Sequence, residues 1–260
     1  MMQSLRIAAT GMHAQQLNVD VLSNNIANLN TTAFKQQNAA FTDLVYQNRI
    51  GVGAITSAAG TLAPTGLQIG LGVAVGSTYK NMTQGNLTNT GNPFDLAVSG
   101  RGFFRVILPD GSTGFTRDGS FQIDQNGQMV TKDGYAFDPN ITVPVDATDF
   151  TVTATGVVSA KINNVTTQLG TITLSMFTNE AGLENIGQNL YRETEASGTA
   201  TDATPAEAGA GTLRQNFLES SNVDAIESIT RLITAQRAYE LNSRVISTAD
   251  EMLQTLSQLR

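Results

Sequence analysis

The chain has 260 residues, 40% of them hydrophobic, which is enough for one large domain or two modest ones with a buried core. Charged residues make up only 14%, against a usual share of about 25%, and Asn, Gln, Ser, Thr and Gly fill the difference, so partners would be held by neutral hydrogen bonds. A net charge of −7 with no cluster of Lys or Arg argues against nucleic acid and against direct engagement of an anionic membrane.

Residues 1–30 are predicted to form a helix. Leu5, Met12, Val19 and Ile26 recur every seven residues, and Ala8, Gln15, Leu22 and Leu29 follow each by three. This is an a/d heptad stripe over nearly four repeats, with Gln15 as its weak point. About 26 helical residues would span ~39 Å at 1.5 Å per residue. Asn24, Asn25, Asn28 and Asn30 crowd the end of the stretch. Asn amides compete with the helical backbone and so mark a terminus, and they also offer donors and acceptors to a neighbouring chain. Residues 31–82 are expected as an extended connector. Within it, 48–76 is rich in Gly, Ala, Ser and Thr, contains Pro64, and shows no helical or strand period.

Residues 83–221 are expected to be β-rich. Leu96, Val98, Phe103, Phe104, Val106, Ile107 and Leu108 are strand material. Asp110-Gly111, Asp118-Gly119, Asn126-Gly127 and Asp133-Gly134 follow at near-regular spacing, each a tight-turn signal. Phe115, Phe121, Ile123, Met129 and Val130 lie between them, which predicts an antiparallel meander or a small barrel. A second β stretch, 150–177, carries the turn signal Asn163-Asn164, and 195–211 reads as a loop.

Residues 222–260 are predicted to form the second helix. Leu232, Tyr239, Ile246 and Leu253 repeat every seven residues, and Ala235, Asn242, Ala249 and Leu256 follow by three. Val245, Met252 and Leu259 widen the stripe. Ser221-Asn222-Val223-Asp224 has the form of a capping box. Glu227 with Arg231 and Glu240 with Arg244 are i,i+4 pairs in the favourable order.

Chemistry is sparse. There is no cysteine, so disulfides and thiolate metal sites are excluded. His13, the single histidine, falls in the first helix and reads as a solvated or interface side chain. No serine sits in a nucleophile elbow, and neither Gly51-Val52-Gly53 nor Gly70-Leu71-Gly72 completes a nucleotide fingerprint. Asp124-Gln125-Asn126-Gly127 opens like a calcium loop, but Tyr135 stands where the closing acid belongs, so a hairpin turn is the better reading. Paired glycosidase carboxylates need only spatial proximity, which leaves a periplasmic glycan-binding or glycan-cleaving protein as the distant alternative. Phe103-Phe104 reads as strand core ahead of a ligand platform. No apolar run approaches the ~20 residues of a membrane span, and the first residues lack the pattern of a cleavable secretory signal.

The two best helical stripes thus lie at opposite ends of the chain, flanking a β region with apolar residues of its own. A helix draws most of its stability from packing an apolar face. The expected fold is α+β, with the terminal helices paired as an antiparallel coiled coil, an extended connector and a β-rich domain. Copies of the same hairpin could close the remaining apolar surface, and heterologous contacts that do not close make a helical filament. The other arrangement is a monomer with both helices packed on its own β region.

Several segments resemble the bacterial flagellar rod and hook family. Near the start they are Asn24-Asn25-Ile26-Ala27-Asn28 and Thr32-Ala33-Phe34-Lys35, where the family usually has Gly in place of Ala33. In the middle they are Asp95 through Phe104 and Phe115 through Phe121; near the end they are Ser221 through Asp224, Gln236 through Glu240 and Thr248 through Leu253. The length and Gly66 through Val73 look most like a subunit of the distal part of the rod, whereas hook proteins usually carry further inserted domains. The resemblance implies a structural subunit, not an enzyme, with no cofactor and no metal, that polymerises with itself into a helical tube. It implies an inner core made by Leu5, Met12, Val19, Leu22, Asn24, Asn25, Ile26, Asn28, Leu29 and Phe34 with Leu232, Ala235, Tyr239, Asn242, Ile246, Ala249, Leu253 and Leu256. The partners it implies are proximal rod subunits, the hook protein, the surrounding bushing rings, a rod-capping protein and the flagellar type III export apparatus. The implied location is the basal body across the periplasm, reached without a cleavable signal.

Overall fold

The computed structural model of the chain describes residues 2–53, 65–207 and 209–258, except the side chain of Leu256. Residues 54–64 of the low-period stretch, Pro64 among them, and Leu259 lie outside the described residues. The fold is α+β, and the chain divides into two compact units. One comprises Met1–Ala27, Gln37–Lys80 and Asp224–Arg260; the other comprises Asn28–Gln36 and Asn81–Val223.

The first, helical unit holds α1 (Met2–Ala27), β1 (Gln37–Asp43), β2 (Tyr46–Ile50), β3 (Leu67–Gly70), β4 (Val73–Lys80) and α2 (Ala225–Gln258). The helices pair with each other. Gly11 lies against Asn242, and further along Gln15 to Leu22 faces Thr230 to Ala238, so the pair is antiparallel. Within the segment expected as an extended connector, the described strands pair with one another. β1 runs antiparallel to β4 from Gln37↔Lys80 to Asp43↔Val73, with a bulge at Ala40/Phe41. β2 runs antiparallel to β3 from Tyr46↔Gly70 to Ile50↔Leu67. These partners are far apart in sequence and show no strict alternation, so periodicity alone does not disclose them.

The start of α2 differs from the expected capping box. Asp224 is itself the cap: its Oδ1 accepts from the Glu227 amide at 2.9 Å, and the helix begins one residue later. Asn222 belongs to the second unit and is engaged there with the backbone of Gln36, Asn81 and Thr83, so the cap falls three residues later than expected. Glu227 and Arg231 form their ion pair at 2.5 Å, but Glu240 and Arg244 form none. Exposed pairs of this kind contribute at most about 0.5 kcal/mol.

The second, β unit contains β5 (Leu87–Asn89), β6 (Leu96–Ser99), β7 (Phe104–Ile107), β8 (Thr113–Thr116), β9 (Phe121–Ile123), β10 (Met129–Thr131) and β11 (Ala136–Asp138). It continues through β12 (Ala147–Val152), β13 (Val157–Ile162), β14 (Val165–Thr171), β15 (Leu174–Met176) and β16 (Glu184–Gly187). Its last strands are β17 (Leu190–Arg192), β18 (Thr201–Ala203), β19 (Thr212–Gln215) and β20 (Phe217–Glu219). Seven strands form one antiparallel sheet in the order β16-β17-β8-β7-β11-β10-β9, and β12-β13-β14 form a second.

Phe103 and Phe104 are adjacent, so they serve opposite faces. Phe104 packs among Phe121, Phe137, Leu96 and Met129, and Phe103 joins Phe115, Phe177, Leu183 and Tyr191. Both are core, as the sequence favoured. Burial pushes the Tyr191 hydroxyl well above the usual tyrosine range.

Asp110-Gly111, Asn126-Gly127 and Asp133-Gly134 turn the chain between successive antiparallel strands, as expected. Asn163 and Asn164, at φ 47° and 67°, close the two-residue hairpin between β13 and β14. Asp118-Gly119 is different. β8 and β9 are not paired, and Gly119 is needed for close approach, because its carbonyl accepts from the Leu96 amide at 3.0 Å and a Cβ there would overlap the Leu96 carbonyl. The 195–211 loop also contains a strand, β18, which pairs with β15. Asp202 of β18 holds Arg105 at 2.7 Å, and Asp138 holds the same guanidinium at 2.6 Å.

Candidate assembly surface

The helical unit is where the sequence places the candidate assembly residues. Along α1 the buried side chains are Ala8, Ala14, Leu22 and Asn25, while Leu5, Met12, Val19, Ile26 and Gln15 are half-buried. The buried line therefore sits partly off the a/d positions. The reason is that α1 has two neighbours, α2 on one side and the β1–β4 ribbon on another, so its covered arc is wider than a coiled-coil seam.

Asn25 is fully buried and its amide serves this chain. Its Nδ2 donates to the Gln37 carbonyl at 2.8 Å, and its Oδ1 accepts from the Gln37 amide at 2.9 Å. It imitates a strand neighbour for the first residue of β1 and is not offered to a second copy. Asn24 is exposed on the helix. Asn28, Leu29 and Phe34 belong to the β unit, where Asn28 accepts from the Thr31 hydroxyl at 3.1 Å and Phe34 is buried.

On α2 the expected seam is largely covered within the chain. Ala235 and Ala249 are buried, and Leu232, Asn242, Ile246 and Leu253 are half-buried. Tyr239 departs from the seam at 41% exposure, and the Leu256 side chain lies outside the described residues. The open apolar surface of α2 is a different stripe. Ile226 is 80% and Leu241 60% exposed, and Ile229, Ile233, Val245 and Met252 are each nearly half exposed. Ile226, Ile229 and Ile233 follow i+3 and i+4 steps and share one helix face, and Leu241, Val245 and Met252 continue the exposed apolar surface along the helix. The heptad marked the seam between α1 and α2, Val245 and Met252 were read as its widened edge, and Ile226, Ile229, Ile233 and Leu241 were legible only as single apolar residues outside the repeat.

A groove of about 430 Å³ runs beside α2, lined by Gln15, Asn18, Val21 and Leu22 of α1, Gln37 to Ala39 and Phe41 of β1, and Thr230, Arg231, Thr234, Ala235 and Ala238 of α2. Amides, hydroxyls, small apolar groups and the Arg231 guanidinium line it. His13 is exposed on α1. Among the described residues no cluster of three metal-ligating side chains occurs, and no helix is long and apolar enough to cross a membrane. Among the described residues each buried carboxylate has a partner: Asp95 accepts from Thr90 and Asn92, Asp118 from Ser120 and Lys132, and Glu219 from Lys35 through Oε1.

Burial lowers the Lys80 amine, at the end of β4, to about 8. Because the folded value lies below the ordinary 10.5, the unfolded chain binds more protons between the two. Stability of the helical unit should therefore rise as pH increases from about 8 towards 10.5. Thermal melts followed by helical ellipticity across that window test this, and Lys80→Met should abolish the alkaline gain.

Three family profiles match in chain order. "Flagella basal body rod protein" covers residues 5–35, "Flagellar hook protein FlgE/F/G D1 domain" covers 97–160, and "Flagellar basal body rod FlgEFG protein C-terminal" covers 214–259. The flagellar basal-body rod protein FlgG of Caulobacter vibrioides is 54% identical over 261 residues, covering all of both chains. This chain belongs to the flagellar basal-body rod protein family. The FlgG of Bacillus subtilis is 40% identical, again over the whole of both chains. The flagellar hook protein FlgE of Helicobacter mustelae is 45% identical, but over only 52% of this chain and 30% of its own. The profiles at the two ends of this rod-family chain include α1 and α2, and the central one falls in the β unit.

Proposed function

We propose that this rod-family chain is a structural subunit of the distal rod of the flagellar basal body, that its copies join into a helical tube, and that the tube carries torque from motor to hook. The observation that carries the reading is the end-to-end match to FlgG rod proteins, set against a partial match to a hook protein. The exposed apolar stripe of α2 supports the polymer: a soluble monomer gains nothing from Ile226, Ile229, Ile233 and Leu241 in water, whereas a neighbouring copy would cover them.

Leu5, Met12, Val19, Leu22, Leu232, Ala235, Ile246, Ala249 and Leu253 then act chiefly by fixing α1 against α2, and the second stripe meets the next subunit. The chain works as a mechanical part and carries no catalytic group. Its neighbours in the assembly are proximal rod subunits, the hook protein, the bushing rings, the rod-capping protein and, in transit, the type III export apparatus. A short tag in an exposed turn of the β unit, such as Asn163-Asn164, located by electron microscopy of isolated basal bodies, tests the position. Density on the rod close to the hook is expected; density only along the hook would overturn the reading.

A further inference from the structure

The β unit contains a nine-residue piece of chain, Asn28–Gln36, that is separated in sequence from the rest of the unit by both ribbons of the helical unit. This strap is held by a buried charge site. The side chains of Lys35, Arg117 and Glu219 are 1%, 4% and 0% exposed. Lys35 Nζ donates to Glu219 Oε1 at 2.5 Å and to the Thr83 carbonyl at 2.9 Å. Glu219 Oε1 also accepts from the Gly85 amide at 2.9 Å, and Arg117 Nε lies 3.2 Å from Oε2. Arg117 in turn donates to the carbonyls of Gly102 and Gly100.

The backbone of the strap is tied to the same region. The Ala33 amide donates to the Glu219 carbonyl at 2.7 Å, and Asn222 accepts from the Gln36 amide at 2.7 Å while donating through its side chain to the carbonyls of Asn81 and Thr83. At the other end, Asn189 Nδ2 donates to the Thr32 carbonyl at 2.9 Å. Ala33 adopts φ 55°, a left-handed conformation costing roughly 1–2 kcal/mol for a residue with a Cβ, so these contacts outweigh a local strain.

We propose that the strap is a standing anchor: it stays docked on the β unit in the free subunit, before copies meet, with Lys35 as its positioning residue. Water does not reach this carboxylate, so without Lys35 its Oε1 and the Thr83 carbonyl each lose a donor that nothing in the site replaces in kind. The polypeptide therefore leaves the β unit at a fixed point, immediately before it enters α1 in one direction and β1 in the other. The role of the anchor in polymer growth rests on the rod reading above; its docking does not.

The test is amide exchange on the full chain as dilute monomer, with tube formation measured separately. Wild-type amides of Ala33, Gly85 and Asn222 should be protected to the same degree as Val106 in the central sheet. Lys35→Met, which removes two charge-assisted hydrogen bonds, should lower protection at those three by about a hundredfold and leave Val106 unchanged. Asn189→Gly, which keeps the positive φ of 59° and removes only the bond to Thr32, should lower Ala33 protection about fivefold. Ala33 exchanging like an unstructured peptide in wild type, or unchanged in both variants, would overturn the anchor. If protection is lost in Lys35→Met but its tubes grow at the wild-type rate, the part played by the anchor in growth is overturned and the docking stands. If wild-type monomer shows the protection but never polymerises, the rod reading fails and the anchor remains.

Discussion

Changing Ile229 and Ile233 together to Asp should abolish tube formation and leave the monomer folded. Both side chains are nearly half exposed on α2, so the monomer loses little when they change; surface substitutions of this kind shift stability by about 0.5 kcal/mol each. In the tube the same positions would be covered by another copy. Two unpaired carboxylates buried there would cost several kcal/mol at every repeat of the contact, which a polymer multiplies. Sedimentation and negative-stain microscopy measure the polymer, and helical ellipticity measures the monomer. Tubes of ordinary length and yield from the double variant would show that this stripe faces solvent in the assembly. Leu253→Asp makes the contrast: it is half-buried in the seam expected to hold α1, so it should lower helical content in the monomer as well as block tubes.

Phe104→Ala should unfold the β unit by about 3–5 kcal/mol, equivalent to a fall in melting temperature on the order of 10 °C. Phe104 is fully buried and meets Phe121 edge-on at 5.2 Å and Phe137 at 6.0 Å. Removing the ring leaves a cavity between two aromatic neighbours in the largest core cluster, which stiff strands cannot close. Gly119→Ala tests the same core by adding an atom, because the new Cβ meets the Leu96 carbonyl and must push β6 aside. Differential scanning calorimetry of both variants, with assembly scored in parallel, checks the result. A shift below about 2 °C for Phe104→Ala would mean that the cluster is not what holds the sheet.

Some of this was legible in the sequence because it is local. The heptads of Leu232, Ile246 and Leu253 and of Leu5, Met12 and Val19 identified two helices, since side-chain spacing along a helix needs no knowledge of the partner. Asn163-Asn164 and Asp133-Gly134 identified hairpins, since the turn conformation is set by the turn residues themselves. The resemblance of the terminal segments placed the chain in its family. Other features depended on residues far apart. The heptad could not say which apolar positions α1 covers and which stay open, so the stripe through Ile226, Ile229 and Leu241 went unseen. Asp118-Gly119 looked like a fourth hairpin because a close approach and a turn both select glycine. Asn25 looked like a donor for a neighbour because nothing adjacent to it in sequence announces Gln37 as its partner.

Local periodicity and turn chemistry alone therefore determined the two terminal helices, the β-rich middle and the α+β class, and they placed candidate assembly residues at both ends. Only the tertiary structure decided that the strands of 37–50 and 67–80 pair as two ribbons, that 28–36 belongs to the β unit, and that Lys35, Arg117 and Glu219 share one buried site. The physical reason is range: a helix or a hairpin is stabilised by neighbours within a few residues, whereas burying a charge requires its counter-charge to arrive from almost the far end of the chain.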